Sequence, residues 1–276
     1  MSSTESAAAW TDVAAGWERR DPWVSAGARP VLDKLLERLD PQPGERILEV
    51  GGGLGETGLA VAERVGPDGS VLITDQAEGM VEAARRRSSG AANVELRVAD
   101  AHDTGLPAGS FDGAVSRFVY MLTQDPAAAL AETNRVLRPG GRLAFAVWAS
   151  APENPWGSTI GRTMVELGVV EPPEGDAPGP FRLADADRVR GLLADAGFAD
   201  PEVDDVPITM RYASFDEFWD VTRDLAMSLR DALGRLPPER AAELRSTVER
   251  ALDPFVSPAG VALPGLARVF STRKSG

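Results

Sequence analysis

The sequence predicts an α/β fold built on a mostly parallel sheet with helices on both faces. The first observation is that short apolar or β-branched segments alternate with stretches whose apolar residues recur at helical spacing. This alternation is typical of βαβ units, in which a helix connects two parallel strands. The second observation is that residues 47–48 and 144–148 are continuously apolar, as expected for strands that are buried on both faces.

Seven segments are predicted as strands, namely residues 46–50, 70–74, 94–98, 111–116, 142–148, 202–212 and 266–272. Helical spacing predicts helices over residues 57–65, 80–87, 127–137, 158–167, 186–196, 215–233 and 238–252. Glycine and proline follow several of these helices, for example at residues 66–69 and 139–141, where a helix is expected to stop. The pattern therefore predicts a seven-stranded sheet with its connecting helices.

Two further helices are predicted before the first strand, over residues 6–19 and 24–39. Half of the six tryptophans (Trp10, Trp17 and Trp23) lie in this segment, where they either staple the helices onto the sheet or help to cap a ligand cleft. We expect one domain over residues 1–276. Its parts are an N-terminal helical cap (1–44), a cofactor-binding core (45–150), the rest of the core with an irregular loop (151–212), a helical lid (213–258) and the last strand (259–276).

The composition excludes several kinds of site and partner. The chain has no cysteine and a single histidine, His102, so disulfides, iron–sulfur clusters and thiolate metal sites are excluded, and we expect no metal. With 42 acidic and 29 basic residues, the net charge of −13 repels phosphate backbones and predicts no nucleic-acid partner. No apolar run approaches the roughly 20 residues of a membrane span, and no signal-peptide pattern is present. We expect a bacterial, cytoplasmic protein without a membrane partner, and a homodimer remains open.

The strongest motif is the segment 47–58, where a strand runs into a glycine-rich turn that opens a helix. Such a turn needs glycine because the backbone bends sharply and lets a ligand approach it closely. In one register, Gly53, Gly55 and Gly58 form the GxGxxG pattern, with Asp75 lying 20 residues beyond Gly55. That register is typical of a dinucleotide site and predicts a nicotinamide cofactor.

The other register is acidic-x-Gly-x-Gly-x-Gly, with Glu49 ahead of Gly51, Gly53 and Gly55. A carboxylate at this strand end would repel a pyrophosphate, whereas it suits a ligand whose nearest part is positively charged. S-adenosylmethionine is such a ligand, because its α-ammonium and sulfonium groups are cationic and it has no phosphate. Glu49 therefore favours S-adenosylmethionine as the cofactor.

Carboxylates also end the next two predicted strands. Asp75 follows residues 71–74, and a carboxylate there can accept hydrogen bonds from both ribose hydroxyls of the cofactor. Asp100 follows residues 94–99 and can accept a hydrogen bond from the adenine amino group, with the backbone N–H of Ala101 facing a ring nitrogen. Open α/β sheets bind ligands at the carboxyl ends of their strands, so the three acidic residues are expected at one edge.

With these motifs the chain resembles the class I S-adenosylmethionine-dependent methyltransferases, and it is similar to the ubiquinone/menaquinone C-methyltransferase type and related small-molecule enzymes. The resemblance is carried by residues 48–55, 74–76 with Met80, 99–101, 106–112, 116–118 and 135–143, and more loosely by residues 192–198 and the last strand. It implies a Rossmann-like sheet with a helical lid before the last strand. It also implies methyl transfer to a small acceptor, with S-adenosylhomocysteine as the cofactor product.

Ten positions match the cofactor contacts of the family: Glu49, Gly51, Gly53, Gly55, Asp75, Gln76, Asp100, Ala101, Ser116 and Arg117. The resemblance implies that the turn from Glu49 contacts the methionine part and the ribose, and that Gln76 covers one face of the adenine. It implies that the backbone around Ser116 and Arg117 receives the methionine ammonium group. The chain departs from the family at Gly52, where cysteine or serine is common, and at Gln76, where an aliphatic residue is common.

Methyl transfer from a sulfonium is an in-line displacement that depends mainly on positioning and on exclusion of water. If the acceptor must lose a proton, Tyr120 and His102 are the candidate catalytic residues, although His102 is expected to lie beside the adenine rather than the methyl group. Candidates for the acceptor-lining residues are Tyr120, Met121, Trp148, Trp156, Phe181 and Trp219. Their character predicts an apolar or aromatic acceptor. The alternatives are an NAD(P)-binding oxidoreductase and a non-catalytic S-adenosylmethionine-binding protein.

Overall fold

The computed structural model describes residues 3–275. Within this range the strands are β1 (Arg46–Val50), β2 (Ser70–Asp75), β3 (Val94–Val98), β4 (Phe111–Arg117), β5 (Leu137–Trp148), β6 (Glu202–Tyr212), β7 (Val256–Ser257) and β8 (Gly260–Arg273). They form one sheet in the order β3-β2-β1-β4-β5-β8-β6, with the short β7 paired to β8. Strands β1 to β5 are parallel, while β8 runs antiparallel to both β5 and β6. The predicted mostly parallel α/β fold is confirmed.

The helices of the described residues are α1 (Ser3–Leu39), α2 (Glu56–Val65), α3 (Glu78–Arg87), α4 (Pro126–Val136), α5 (Pro155–Glu166), α6 (Ala186–Asp195), α7 (Phe215–Leu225), α8 (Met227–Arg235) and α9 (Pro238–Leu252). Side-chain oxygens of Asp125, Asp185 and Ser214 accept backbone N–H groups at the starts of α4, α6 and α7. These caps satisfy donors that a helix N-terminus otherwise leaves unpaired. No helix among residues 3–275 is long and apolar enough to cross a membrane.

The N-terminal region differs from its prediction. The two expected helices are one continuous helix, α1, with Pro22 and Pro30 inside it. Each proline removes one backbone hydrogen bond, and we attribute the continuity to the apolar face that α1 buries, including Val31, Leu35 and Leu39. Packing thus outweighs the local cost of the prolines.

Other boundaries also differ from the prediction, most clearly in three elements. The helix expected over residues 215–233 divides into α7 and α8 at Ala226, whose backbone is extended. Strand β5 begins at Leu137 and includes the glycines at 140 and 141, with an irregular register opposite Phe111 and Gly113. Strand β8 begins at Gly260, because residues 261–267 pair with the long β6. Tertiary pairing therefore overrides the local signals at these positions.

Aromatic rings fill the centre of the core between the sheet and its helices. Phe145 of β5 stacks on Phe270 of β8 with 5.2 Å between ring centroids and meets Tyr120 edge-on at 5.1 Å. All three side chains are fully buried, and burial of each apolar side chain contributes about 2 kcal/mol. This packing holds the carboxyl ends of β4 and β5 in a fixed position.

Candidate active site

The glycine-rich turn lies between β1 and α2 and has the conformation that its glycines predict. Gly51, Gly53 and Gly55 all have positive φ, at 67°, 54° and 79°, a region that other residues enter only at a cost. A Cβ atom on Gly51 would lie 2.4 Å from a methyl group of Val119, so this position has no room for a side chain. A Cβ atom on Gly53 would meet nothing within 4 Å, so the turn is open to a ligand at that residue.

Glu49 lies beneath this turn and is only 2% exposed. Its Oε2 atom accepts the backbone N–H of Gly58 at 2.8 Å, and a Cβ atom on Gly58 would lie 2.5 Å from that oxygen. Burial raises the pKa of Glu49 to about 8, although the nearby Arg117 guanidinium and the Gly58 N–H act in the opposite direction. The carboxyl therefore becomes more readily ionised when a further positive charge approaches it.

Arg117, the last residue of β4, lies next to the turn. Its Nη2 donates to Oε2 of Glu56 at 2.6 Å, and the two side chains are 15% and 14% exposed. Its Nη1 is buried and has no hydrogen-bond partner among residues 3–275. Since buried donors are nearly always paired, this atom is suited to an anionic group of a ligand. The neighbouring Ser116 is fully buried and donates to the carbonyl of Val50, which joins β4 to β1.

Asp75 ends β2 on the other side of the turn. Its Oδ2 accepts the N–H of Gly53 and its Oδ1 the N–H of Ala77, both at 2.9 Å. Burial raises the pKa of Asp75, and these backbone donors oppose the shift. Each carboxylate oxygen can accept more than one hydrogen bond, so the group keeps acceptor capacity for a pair of hydroxyls.

An open cavity of about 490 Å³ lies beyond Asp75, at the ends of β2 and β3. Its lining consists of Thr4, Ala7, Gln76, Val98, Ala99, Asp100, Asp103, Thr104 and Gly105. Val98 is 50% exposed and offers an apolar surface, while Gln76 and Asp100 offer polar atoms. The cavity therefore suits a flat ring with hydrogen-bonding groups on its edge.

Helix α1 forms one wall of this cavity through Thr4 and Ala7. The amide of Gln76 donates to the Ser6 hydroxyl at 3.0 Å, which ties the start of α1 to the end of β2. Trp10 and Trp17 pack beside Leu54 of the glycine-rich turn, in a small cluster that also contains Met80. Two of the N-terminal tryptophans thus hold the helix against the turn and α3.

His102 is next to Asp100 but is not among the residues that line the cavity. Its Nδ1 is 2.5 Å from Oδ1 of Asp100, and its Nε2 accepts the backbone N–H of Asp125 at 3.2 Å. Both ring nitrogens are therefore committed to protein partners. The Nε2 atom that a catalytic base would use is thus already hydrogen-bonded, which does not favour His102, a candidate that the sequence already places beside the adenine rather than the methyl group.

The structure places Tyr120, the other candidate catalytic and acceptor-lining residue, in the hydrophobic core. Its side chain is fully buried, and its hydroxyl shares a 2.8 Å hydrogen bond with Thr133. Burial raises the pKa of Tyr120 far above its usual range, which disfavours the phenolate that a base would need. Met121 is 1% exposed and belongs to the same core. The short helical turn Tyr120–Leu122 directs both side chains inwards.

An aromatic stack, which we define as Phe118, Trp148 and Trp156, lies at the carboxyl ends of β4 and β5. Phe118 stacks flat on Trp148 with centroids 3.8 Å apart, and Trp156 meets Trp148 edge-on at 4.7 Å. Phe118 has a φ of 64°, a strained value for a residue with a side chain. Trp148 and Trp156 are among the residues that the sequence predicts to line the acceptor site, whereas Phe118, which directly follows Arg117, is not among them.

The remaining predicted acceptor residues take different places. Phe181 lies near the start of α5, where a Cβ atom on Gly157 would be 3.5 Å from its ring. Trp219 is on α7, where it packs against Phe215 and the guanidinium of Arg245. Trp219 is thus part of the packing between α7 and α9 rather than of the aromatic stack.

Comparison with known proteins agrees with this geometry. Residues 48–145 match the family described as "Methyltransferase domain". The chain is 34% identical over 202 residues to nocamycin O-methyltransferase of Saccharothrix syringae, covering 72% of this chain and 69% of that protein. It is 31% identical over 235 residues to malonyl-[acyl-carrier protein] O-methyltransferase of Halorhodospira halophila, covering 83% and 75%. The matched segments cover 51% to 75% of the length of four curated relatives, these two among them.

Among solved structures, the YcgJ protein of Bacillus subtilis has the same fold, with a TM-score of 0.61 and 18% identity over 89% of this chain and 98% of that one. The open side of Gly53, the unpaired Arg117 nitrogen and the cavity by Asp100 leave room and donors for a long ligand that ends in a carboxylate. S-adenosylmethionine has that form. The chain therefore belongs to the S-adenosylmethionine-dependent methyltransferases and uses that cofactor.

Proposed function

We propose that this enzyme methylates a small, flat, apolar or aromatic acceptor that lies against the aromatic stack. The observation that carries this proposal is the flat packing of Phe118 on Trp148 directly after Arg117, at the edge of the sheet that also holds the glycine-rich turn. Aromatic surfaces bind flat rings through stacking and burial of apolar area. The similarity to an O-methyltransferase named for nocamycin supports a small-molecule acceptor.

We propose that the cofactor lies along the edge of the sheet from Arg117 to Asp100. The buried Nη1 of Arg117 would pair with its carboxylate, and the ionised Glu49 would attract its ammonium and sulfonium groups from beneath the turn. Asp75 would accept the ribose hydroxyls. The cavity would hold the adenine against Val98, with Gln76 on one face and with Asp100 and the Ala101 N–H on its edge. When bound, the cofactor supplies a methyl group on a sulfonium that needs no further activation.

We infer that the acceptor ionises readily by itself. Tyr120 and His102 are both committed to protein partners, so neither can take a proton from the acceptor. A phenol or an enol loses its proton more easily than an aliphatic alcohol. Orientation of the acceptor and exclusion of water from the site then supply most of the rate enhancement. The chain's contribution is to hold the acceptor oxygen or carbon in line with the sulfonium.

The first prediction concerns Arg117 and its partner. Arg117→Met is expected to raise the dissociation constant of S-adenosylhomocysteine by about 10- to 100-fold, because a charge-assisted hydrogen bond to the carboxylate is lost. Glu56→Gln is the matched variant: it removes the internal partner of Arg117 but leaves the guanidinium in place. We expect it to bind as tightly as the wild type or more tightly. Calorimetric titration of both variants measures this, and weaker binding by Glu56→Gln alone would contradict the assignment.

The second prediction concerns the acceptor. Phe118→Leu is expected to raise KM for a flat phenolic or enolic acceptor by about fivefold, since an aromatic contact contributes about 1 kcal/mol. Its affinity for S-adenosylhomocysteine should change less than twofold. Trp23→Leu is the control, because it removes an aromatic ring that packs on Tyr212 outside the stack. An unchanged KM in Phe118→Leu would place the acceptor elsewhere.

The activity itself is tested with S-adenosylmethionine carrying a labelled methyl group and a panel of phenols, enols and aliphatic amines. Formation of a labelled product together with an equal amount of S-adenosylhomocysteine supports the proposal. Preferential methylation of the aliphatic amines would contradict the acceptor class. Binding of the cofactor without product from any member of the panel would support the non-catalytic alternative.

We further propose that the protein acts in the bacterial cytoplasm and that one domain, with α1 as its cap and residues 213–258 as its lid, forms the complete site. The net charge of −13 and the bacterial relatives support this setting. The position of Thr4 and Ala7 at the cavity supports the role of α1. Size-exclusion chromatography with light scattering decides between a monomer and the homodimer that the sequence leaves open.

A further inference from the structure

His102 connects the loop after β3 to the start of α4. The Oδ1 atom of Asp100 accepts the backbone N–H of His102 at 2.9 Å and lies 2.5 Å from Nδ1 of the ring. On the other side of the ring, the backbone N–H of Asp125 points to Nε2 at 3.2 Å. Asp125 itself caps α4 by accepting the N–H groups of Ala127 and Ala128. The ring is thus held between a carboxylate and the N-terminus of a helix.

These contacts define the protonation of each ring nitrogen. A backbone N–H only donates, so Nε2 must accept and carries no proton. The proton of the neutral ring is then on Nδ1, where it can donate to Asp100. In this tautomer His102 bridges its two partners with one donor and one acceptor.

We infer that His102 is a positioning residue, which fixes the Asp100 carboxylate so that it distinguishes the adenine amino group of the cofactor from other substituents. The inference rests on the proposed placement of the adenine beside Asp100. Asp100 lines the cavity, whereas His102 is not among the lining residues and its ring contacts the Asp100 carboxylate. Nε2 is hydrogen-bonded to Asp125 at the start of α4. The orientation of the Asp100 carboxylate is therefore fixed relative to α4 as well as by its own loop. The ring therefore acts on recognition through Asp100 and has no contact of its own with the cofactor.

The protonation can be measured directly, because His102 is the only histidine in the chain. Protein labelled with 15N in histidine gives one pair of ring nitrogen signals, and long-range proton–nitrogen spectra show which nitrogen carries the proton. We expect a protonated Nδ1 and an unprotonated Nε2 at neutral pH, both in the free protein and with S-adenosylhomocysteine. A proton on Nε2, or signals averaged between the two forms, would overturn the inference whether or not the cofactor binds.

Recognition is measured with S-adenosylhomocysteine and S-inosylhomocysteine, which has a carbonyl oxygen in place of the adenine amino group. The wild type is expected to prefer the adenosyl compound, and His102→Ala is expected to reduce that preference by about tenfold. His102→Gln keeps one donor and one acceptor and should retain part of the preference. Weaker binding of both compounds by the same factor in His102→Ala would indicate only a loss of structure and would overturn the inference.

The same titrations separate the inference from the proposed function. A wild type that binds both compounds equally would overturn the placement of adenine beside Asp100, and the inference with it. A wild type that discriminates strongly, together with a His102→Ala variant that discriminates equally well, would overturn the inference and leave the proposed function standing.

Discussion

Replacement of Glu49 by glutamine is expected to stabilise the fold while it weakens cofactor binding. The Glu49 carboxyl has a pKa of about 8 in the folded protein, against an ordinary value of 4.5. Between these two pH values the folded state holds a proton that the unfolded state has released. The free energy of unfolding therefore falls as pH rises from about 4.5 to 8, by an amount on the order of 1.4 kcal/mol per pH unit at most.

Glutamine cannot ionise, so Glu49→Gln removes this dependence. We expect the free energy of unfolding of the variant to exceed that of the wild type by about 2 kcal/mol at pH 8 and by much less at pH 5. The gain is limited because the amide, although it keeps an acceptor for the Gly58 N–H, has its own desolvation cost. Urea unfolding at pH 5, 6.5 and 8 measures the difference. Parallel stability curves for the two proteins would show that the pKa of Glu49 is not raised.

Glu132→Gln is the matched control, because Glu132 is also a buried glutamate. Burial by itself would raise the pKa of Glu132, but Arg135 and the Thr104 hydroxyl more than offset it and hold the pKa below its usual value. A lowered pKa gives stability that is present above the unfolded-state value and is lost as pH falls. Glu132→Gln should therefore destabilise the protein at pH 8, opposite in sign to Glu49→Gln.

The binding effect of Glu49→Gln should depend on the charge of the ligand. S-adenosylmethionine carries a sulfonium charge that S-adenosylhomocysteine lacks, so loss of the Glu49 carboxylate should weaken the former more. We expect about a tenfold loss for S-adenosylmethionine and a smaller loss for S-adenosylhomocysteine. Equal losses for the two ligands would mean that Glu49 does not act on the sulfonium.

Gly53→Ala is expected to leave the protein folded and to lower cofactor affinity by about a hundredfold or more. Its φ of 54° makes any side chain cost about 1 kcal/mol in stability. The added Cβ would meet no atom of residues 3–275 within 4 Å, so the methyl group would extend into the open side of the turn, where we place the cofactor. Differential scanning calorimetry and calorimetric titration measure the two effects separately.

Gly44→Ala is the control for backbone strain. Gly44 has a φ of 82°, a Cβ there would also meet nothing within 4 Å, and the residue lies before β1, away from the turn. Both variants should lose a similar amount of stability, while only Gly53→Ala should lose affinity. Wild-type affinity in Gly53→Ala would show that the cofactor does not approach this part of the backbone.

The strands and the glycine-rich turn could be predicted because their signals are local. Segments such as Arg46–Val50 and Glu202–Tyr212 are bounded by turn residues and have strong β patterns, and each was predicted with the boundaries that the structure has. The need for glycine at position 58 also has a local origin. Gly58 packs on Glu49, which lies nine residues earlier, and this close contact is typical of a strand–turn–helix with this glycine spacing.

The side-chain environment of the site could not be predicted in the same way. Tyr120 comes three residues after the end of β4, but a short helical turn directs its ring into the core beside Phe145. One hydrogen-bond partner of His102 is Asp125, which lies 23 residues away and contributes only a backbone N–H, a contact that no residue type predicts. The position of the Phe118 ring depends on a positive φ that its residue type does not favour. Each of these outcomes depends on tertiary contacts.

The most direct test of the account is calorimetric titration of the purified chain with S-adenosylhomocysteine and, separately, with NADH, repeated on Asp75→Ala. We expect one S-adenosylhomocysteine bound per chain with micromolar affinity, no binding of NADH, and a large loss of affinity in Asp75→Ala, because Asp75 lies between the turn and the cavity. Binding of NADH in place of S-adenosylhomocysteine, or unchanged affinity in Asp75→Ala, would contradict the placement of the cofactor along this edge of the sheet.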